Sequence, residues 1–242
     1  MDKELNRVAV ITGGGSGIGR AIALALAAQG TVSCLVGRHP EALRSVADCI
    51  RARAAAARCY PADLSISEQV EQLAERIKSE WQGLDVLVHS AGAISLGSLE
   101  GTSPEELDRQ FMVNVRAPFV LTRALLPLLR RSRGQVVFVN SSAGLEARAN
   151  VGQYAASKHA LRALADSLRE EVNPDGIRVL SVFLGRTASP LQAAVHRSEG
   201  RDYHPELLLQ PEDVATTVVC ALGLPRTAEV TDIRMRPLVK SY

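Results

Sequence analysis

Aromatic side chains are scarce: four Phe, four Tyr and one Trp in 242 residues. The 46% of hydrophobic residues therefore rests mainly on Ala, Leu and Val, as expected of helices packed on parallel strands. There are only four cysteines (Cys34, Cys49, Cys59 and Cys220), with no C-x-x-C or other ligand spacing, which leaves no metal site and points to a reducing compartment. Cys34 falls in a predicted buried strand and reads as a small hydrophobe. No charge sign dominates: 28 basic and 26 acidic residues are interspersed, for a net charge of +2. The one local basic cluster, Arg130-Arg131-Ser132-Arg133, reads as a solvated helix C-terminus favoured by the helix dipole, so nucleic acid is not an expected partner. No run approaches the ~18 apolar residues of a membrane span. The opening Met1–Asn6 has no apolar core of a signal peptide. The expectation is a soluble cytoplasmic protein with no membrane partner.

Strand and helix signals alternate from end to end. Short β-branched runs at Val8–Ile11, Val32–Gly37, Arg58–Tyr60, Asp85–Val88, Gln135–Val139, Ile177–Phe183 and Glu229–Ile233 predict seven strands. Helices are predicted over 40–53, 67–81, 104–131, 151–171 and 211–222, after the first at 20–28. Prolines stand in the first turn at Pro40, Pro104 and Pro211. Ser67 and Ser103 are read as caps, and Pro118 and Pro127 as kinks or breaks. Repeated β-α-β units of this kind form a doubly wound parallel sheet, an α/β Rossmann-type fold with helices on both faces. No linker, repeat or low-complexity tract divides the chain, so residues 1–242 are read as one domain without room for a separate substrate domain.

The first strand leads into Thr12-Gly13-Gly14-Gly15-Ser16-Gly17-Ile18-Gly19 and then an alanine-rich helix. Strand, glycine turn and helix is the context of a dinucleotide-binding turn. Glycines admit close backbone approach to a pyrophosphate, and the helix N-terminus offers free N–H groups. A flexible linker is the bland alternative, but linkers are seldom framed by a buried strand and a strong helix. Further on, Tyr154 and Lys158 stand at i and i+4, on one face of a helix. A phenol titrates near pH ~10, and a lysine one turn away supplies a cation that favours its anion.

Together the Thr-Gly-x-x-x-Gly-x-Gly turn and Tyr-x-x-x-Lys resemble the short-chain dehydrogenase/reductase family, and the landmarks run in family order along essentially the whole chain. The resemblance implies an oxidoreductase that interconverts a carbonyl and a secondary alcohol by hydride transfer. It assigns the general acid/base to Tyr154, and to Lys158 the lowering of its pKa and contact with the nicotinamide ribose. Ser141, three residues before Gly144, matches the family serine better than Ser142 does. Asn114 matches the asparagine that holds a water linked to the lysine. Alone, Ser141 could be a turn residue and Asn114 a buried polar group bonded to backbone.

For the cofactor, the resemblance implies contacts from Gly13, Gly15, Ser16, Gly17, Ile18 and Gly19 in the turn. It adds Asp63 at the adenine with Leu64 beside it, Ala91 and Gly92 at the adenosine ribose, and Gly185 and Thr187 near the carboxamide. After the second strand stands Gly37-Arg38, with no carboxylate for a ribose 2′-hydroxyl. Arg38 alone reads equally as a solvated loop charge; the missing acid turns the expectation to NADP(H) over NAD(H). Two departures are visible. His89-Ser90 replaces Asn-Asn ahead of Ala91-Gly92, so His89 is expected to be structural. Leu184-Gly185 replaces Pro-Gly, with Ser189 for the usual threonine. Residues 186–209 are read as a substrate lid whose His196, Arg197, Arg201 and His204 are solvated in preference to binding an anion. The family also implies a dimer or tetramer through helices 104–131 and 151–171. A catalytically silent dinucleotide sensor or scaffold is the competing reading, and the substrate itself is unreadable.

Overall fold

The computed structural model describes residues 7–239; the opening Met1–Asn6 read above lies outside them. Seven strands form one parallel sheet in the order β3-β2-β1-β4-β5-β6-β7. They are β1 (Val8–Thr12), β2 (Val32–Gly37), β3 (Ala57–Pro61), β4 (Val86–His89), β5 (Gln135–Ser141), β6 (Arg178–Leu184) and β7 (Asp232–Met235). The inner strands are buried almost throughout, whereas the edge strands β3 and β7 alternate with exposed positions. That difference explains why β7 begins three residues later than the sequence suggests: an edge strand has no continuous apolar run to mark it.

One face of the sheet is covered by α1 (Gly17–Ala27), α2 (Pro40–Arg51) and α8 (Pro211–Leu222), packed on Ile11, Leu35, Val88, Val139 and Val182. The other carries α3 (Ser67–Glu80), α5 (Ala117–Ser132) and α6 (Gly152–Val172) over Val10, Val36, Leu87, Phe138 and Val179. Two shorter helices, α4 (Pro104–Phe111) and α7 (Pro190–Ser198), stand over the C-terminal edge. Proline occupies the first turn of α2, α4, α7 and α8. The Ser103 hydroxyl caps α4 as expected by accepting from Glu106 N–H. Ser67 does not cap α3. The turn at Asp63 starts the helix with Ile66 at the cap, and the Ser67 hydroxyl instead accepts from Arg116. Cys34 is buried, and its burial pushes the thiol up to about 12, which keeps it a neutral core group.

The predicted helix 104–131 does not break at its prolines. It runs from Pro104 to Ser132, but its middle, Met112–Arg116, is wound as a π-helix in which Ala117 N–H reaches back to the Met112 carbonyl. Pro118 has no N–H for the Asn114 carbonyl, and the wider turn just before it absorbs that mismatch. Asn114 is thereby presented at an irregular point of the helix. This run is long and apolar enough to cross a membrane by length and composition, contrary to the reading of the sequence; half of its most apolar window is buried within the fold, as in a core helix.

Candidate active site

The sheet order reverses between β1 and β4, and the loops after the strands meet at that crevice. Thr12, at the end of β1, holds the crevice together. Its hydroxyl accepts from Ser90 and Ala91 N–H at 3.1 Å each and donates to the Val88 carbonyl at 3.3 Å. The turn that follows needs glycine: Gly13 and Gly17 adopt φ of +68° and +51°. At Gly19 a Cβ would lie 2.4 Å from the Gly13 carbonyl oxygen. No side chain caps α1, whose N-terminus opens beside this turn. A glycine cradle against an uncapped helix N-terminus fits the pyrophosphate of a dinucleotide. Replacing Gly19 by alanine is therefore expected to destabilise the fold by about 1–3 kcal/mol, typical of overpacking, with a matching loss of dinucleotide affinity. Gly152→Ala, where a Cβ would meet nothing within 4 Å, is the control. Equal melting temperatures for the two variants would count against the cradle.

A cleft of about 310 Å³ opens at the ends of β4, β5 and β6. It brings together Ile18, Ala91, Gly92, Ser141, Tyr154, Lys158, Gly185 and Thr187 of the predicted residues. Asn114 is buried behind it. Gly13, Gly15, Ser16, Gly17, Gly19, Arg38, Asp63 and Leu64 do not line it; they lie in or after the loops of β1, β2 and β3 along the same sheet edge. Ser141 ends β5 and accepts from Ala143 N–H, while Ser142 is exposed and outside any comparable bond. Arg38 is exposed after β2. Burial pushes the Asp63 carboxyl up, but two bonds from Ser65 and the nearby Arg38 charge outweigh it and leave the carboxyl below its usual range.

Polar bonds fix α6. Asn114 Oδ1 accepts from Ala93 N–H at 2.8 Å, and its Nδ2 donates to the Ala93 carbonyl and to Ser157 Oγ. Ser157 in turn donates to the Tyr154 carbonyl at 2.7 Å. Asn140 donates to the Lys158 carbonyl at 3.1 Å and accepts from Ser141 N–H at 2.7 Å, so the serine strand and the lysine helix share one amide. Thr12, Asn140 and Ser157 had no assigned role in the sequence. The only signal for Asn140 is its place next to the candidate serine.

The electrostatics differ from the expectation in one respect. Burial raises the Tyr154 phenol above its ordinary value, and the Ser141 hydroxyl offsets this only in part. The Lys158 ammonium is bonded to the main chain and not to the phenol. Its Nζ donates to the Val139 carbonyl at 3.2 Å and lies 5.9 Å from the Tyr154 ring centre. Burial lowers the lysine itself to about 8. At neutral pH the pair is thus a protonated phenol beside a mostly protonated ammonium, poised to give a proton.

His89 is buried, its Nε2 2.8 Å from Thr122 Oγ1 and its ring stacked on Phe138. Burial pulls its pKa down to about 3, so it is a neutral brace between β4 and α5. His196 is not solvated: it is 6% exposed and hydrogen-bonded to Gln192 and Arg186. Arg197, Arg201 and His204 are exposed as expected. Among the described residues no group of three or more His, Cys, Asp or Glu could hold a metal ion.

Residues 7–200 match the short chain dehydrogenase family. An uncharacterised oxidoreductase of Staphylococcus aureus (strain USA300) is 30% identical over 96% of this chain and 98% of its own length. The alcohol dehydrogenase of the archaeon Thermococcus sibiricus, solved with 5-hydroxy-NADP, superposes with a TM-score of 0.88 at 28% identity, covering 98% of both chains. A metagenomic short-chain oxidoreductase in complex with NADP gives a TM-score of 0.83 at 30% identity over 97% of this chain and 98% of that one. With its seven-stranded parallel sheet, the chain belongs to the short-chain dehydrogenase/reductase family. It is an oxidoreductase of that family.

Proposed function

We propose that this protein is an NADP(H)-dependent oxidoreductase interconverting a carbonyl and a secondary alcohol, with Tyr154 as general acid/base. The observation that carries the reading is the meeting of Ser141, Tyr154 and Lys158 in the one cleft that the glycine turn's helix borders through Ile18. The residues that would hold the cofactor are the turn from Gly13 to Gly19, Asp63 and Leu64, Ala91 and Gly92, and Gly185 and Thr187. Bound there, NADPH would supply the hydride. As the carbonyl oxygen gains negative charge, Tyr154 passes it the phenolic proton and the Ser141 hydroxyl donates a hydrogen bond to it. The product is the alcohol, and a proton from solvent restores the phenol. Lys158, charged below pH about 8, stabilises the phenolate left behind. Both Nδ2 protons of Asn114 are committed to protein, so any water it holds toward Lys158 is held by its main-chain carbonyl, which Pro118 cannot reach with an N–H. Residues 186–209 act as the lid over the substrate, and the same single domain, 1–242, assembles as a dimer or tetramer in the cytoplasm.

Absorbance at the reduced-nicotinamide band with a panel of ketones and alcohols tests this. Cofactor binding without turnover of any of them would mean a sensor or scaffold instead. Cofactor choice is testable without a substrate. Arg38 stands exposed after β2, with no acidic residue at the strand end, and a guanidinium bonds a phosphate bidentately. NADPH is expected to bind at least ~10-fold more tightly than NADH, about 1.4 kcal/mol. Arg38→Ala should weaken NADPH while leaving NADH nearly unchanged, and raised salt should narrow the gap. Fluorescence titration decides: equal affinities in the wild type would place Arg38 in solvent.

A further inference from the structure

Arg186, one residue past Gly185, spreads its guanidinium across Glu199 at the end of α7. Nη1 and Nη2 each donate to a different carboxylate oxygen, both at 2.8 Å. Nη1 also lies 3.3 Å from Nε2 of His196. Arginine only donates, so that nitrogen accepts, and the ring proton sits on Nδ1, 2.9 Å from the Gln192 carbonyl. Tyr203 packs edge-on against the same imidazole, and its hydroxyl accepts from Ser189 N–H. The side chains of Arg186 and Glu199 are 29% and 22% exposed, and both line the cleft that contains Tyr154 and Lys158. The remaining edge of the guanidinium, its Nε–H and second Nη2–H, donates to no group among the described residues. A second pair, Glu146 with Arg148 at 3.6 Å, borders the same cleft. These four charged side chains line the cleft and cancel one another, so its one net positive charge is that of Lys158.

We propose that Arg186 is a specificity-determining residue that bonds a second oxygen of the substrate, away from the reacting carbonyl, and that Glu199 makes this subsite prefer neutral oxygen-bearing substrates to carboxylates. The inference rests on the activity proposed above. Two parallel N–H groups on one edge of a planar cation suit an ester, ketone or diol oxygen as well as a carboxylate. A carboxylate, however, would share a guanidinium whose other edge already holds Glu199; Arg201, half-exposed and 3.9 Å from Glu199, offsets that charge only weakly, and the two anions repel. A neutral acceptor meets no such repulsion.

The test compares a small keto ester, the keto acid with the same carbon skeleton, and the hydrocarbon ketone of equal length, each with NADPH. The wild type should show kcat/KM at least tenfold higher for the ester than for the acid. Glu199→Gln keeps the side-chain length and removes the charge, and it should shift that ratio toward the acid by at least tenfold, mainly through KM. Arg186→Met should lower kcat/KM for the ester at least tenfold more than for the hydrocarbon ketone. Equal factors on all three substrates in both variants would make the pair a purely structural clasp and overturn the proposal. So would a wild type that prefers the acid, a result that needs no variant to fold. Turnover of none of the three, with NADPH still bound, would overturn the proposed activity and this inference with it.

Discussion

Replacing Tyr154 by phenylalanine is expected to lower kcat by more than the ~10²-fold at the low end of acid–base catalysis, with fold and cofactor affinity intact. The substitution removes one hydroxyl from a partly buried ring and changes no packing volume of consequence. Every bond that positions the helix comes from elsewhere: Ser157 to the Tyr154 main chain, and Asn140 to the Lys158 carbonyl. Ser141 keeps its bond from Ala143 N–H. The phenol's raised pKa sharpens the expectation, because a neutral phenol is the form that donates a proton in the reducing direction. In the oxidising direction the phenolate is needed, and the wild-type rate should climb with pH. A steady-state assay in both directions, alongside titration of NADPH binding, makes the comparison. A variant that turns over near the wild-type rate would remove Tyr154 from the mechanism.

Much of the fold was legible because its punctuation is chemical. Pro40, Pro104 and Pro211 mark helix starts for the reason that their missing N–H is unneeded there, and the inner strands are continuous apolar runs because both faces are covered. Pro118 reads in the sequence as a kink or break; neither can be told there from a π turn, which differs by one residue of local register. In the candidate site, the residues legible in the sequence are those with a fixed spacing or a fixed place at a strand end: Tyr154 with Lys158, Ser141, and the glycine turn. What spacing cannot convey is where a long side chain goes. The i, i+4 relation brings Lys158 to the tyrosine's face of the helix, yet its Nζ turns to Val139. Arg186 and Glu199 meet across a whole helix, and no sequence period links them.

Lys158 is expected to cost the protein stability that it returns as activity. Burial moves its ammonium from 10.5 to about 8, so at neutral pH the folded state carries a charge held less favourably than in water, at a cost on the order of 3 kcal/mol. The unfolded chain keeps this proton up to about pH 10.5 and the folded chain only to about 8, so this group makes stability rise with pH across that window. Lys158→Met fills the same space without the charge. It forfeits the bond to the Val139 carbonyl, about 1 kcal/mol, and should still be more stable at pH 7 by about 2 kcal/mol. In a chain of this size that is a rise in melting temperature of roughly 4–8 °C. The gain should shrink between pH 8 and 10.5 as the wild type loses its penalty. Turnover should fall by more than ~10²-fold, because only the Ser141 hydroxyl, and no cation, then stabilises the phenolate. In the wild type, kcat/KM for reduction should decline as pH rises through about 8, a limb that the variant lacks. Thermal unfolding without cofactor, followed across pH, is decisive: a lower melting temperature for Lys158→Met at pH 7 would mean that the ammonium is well satisfied where it lies.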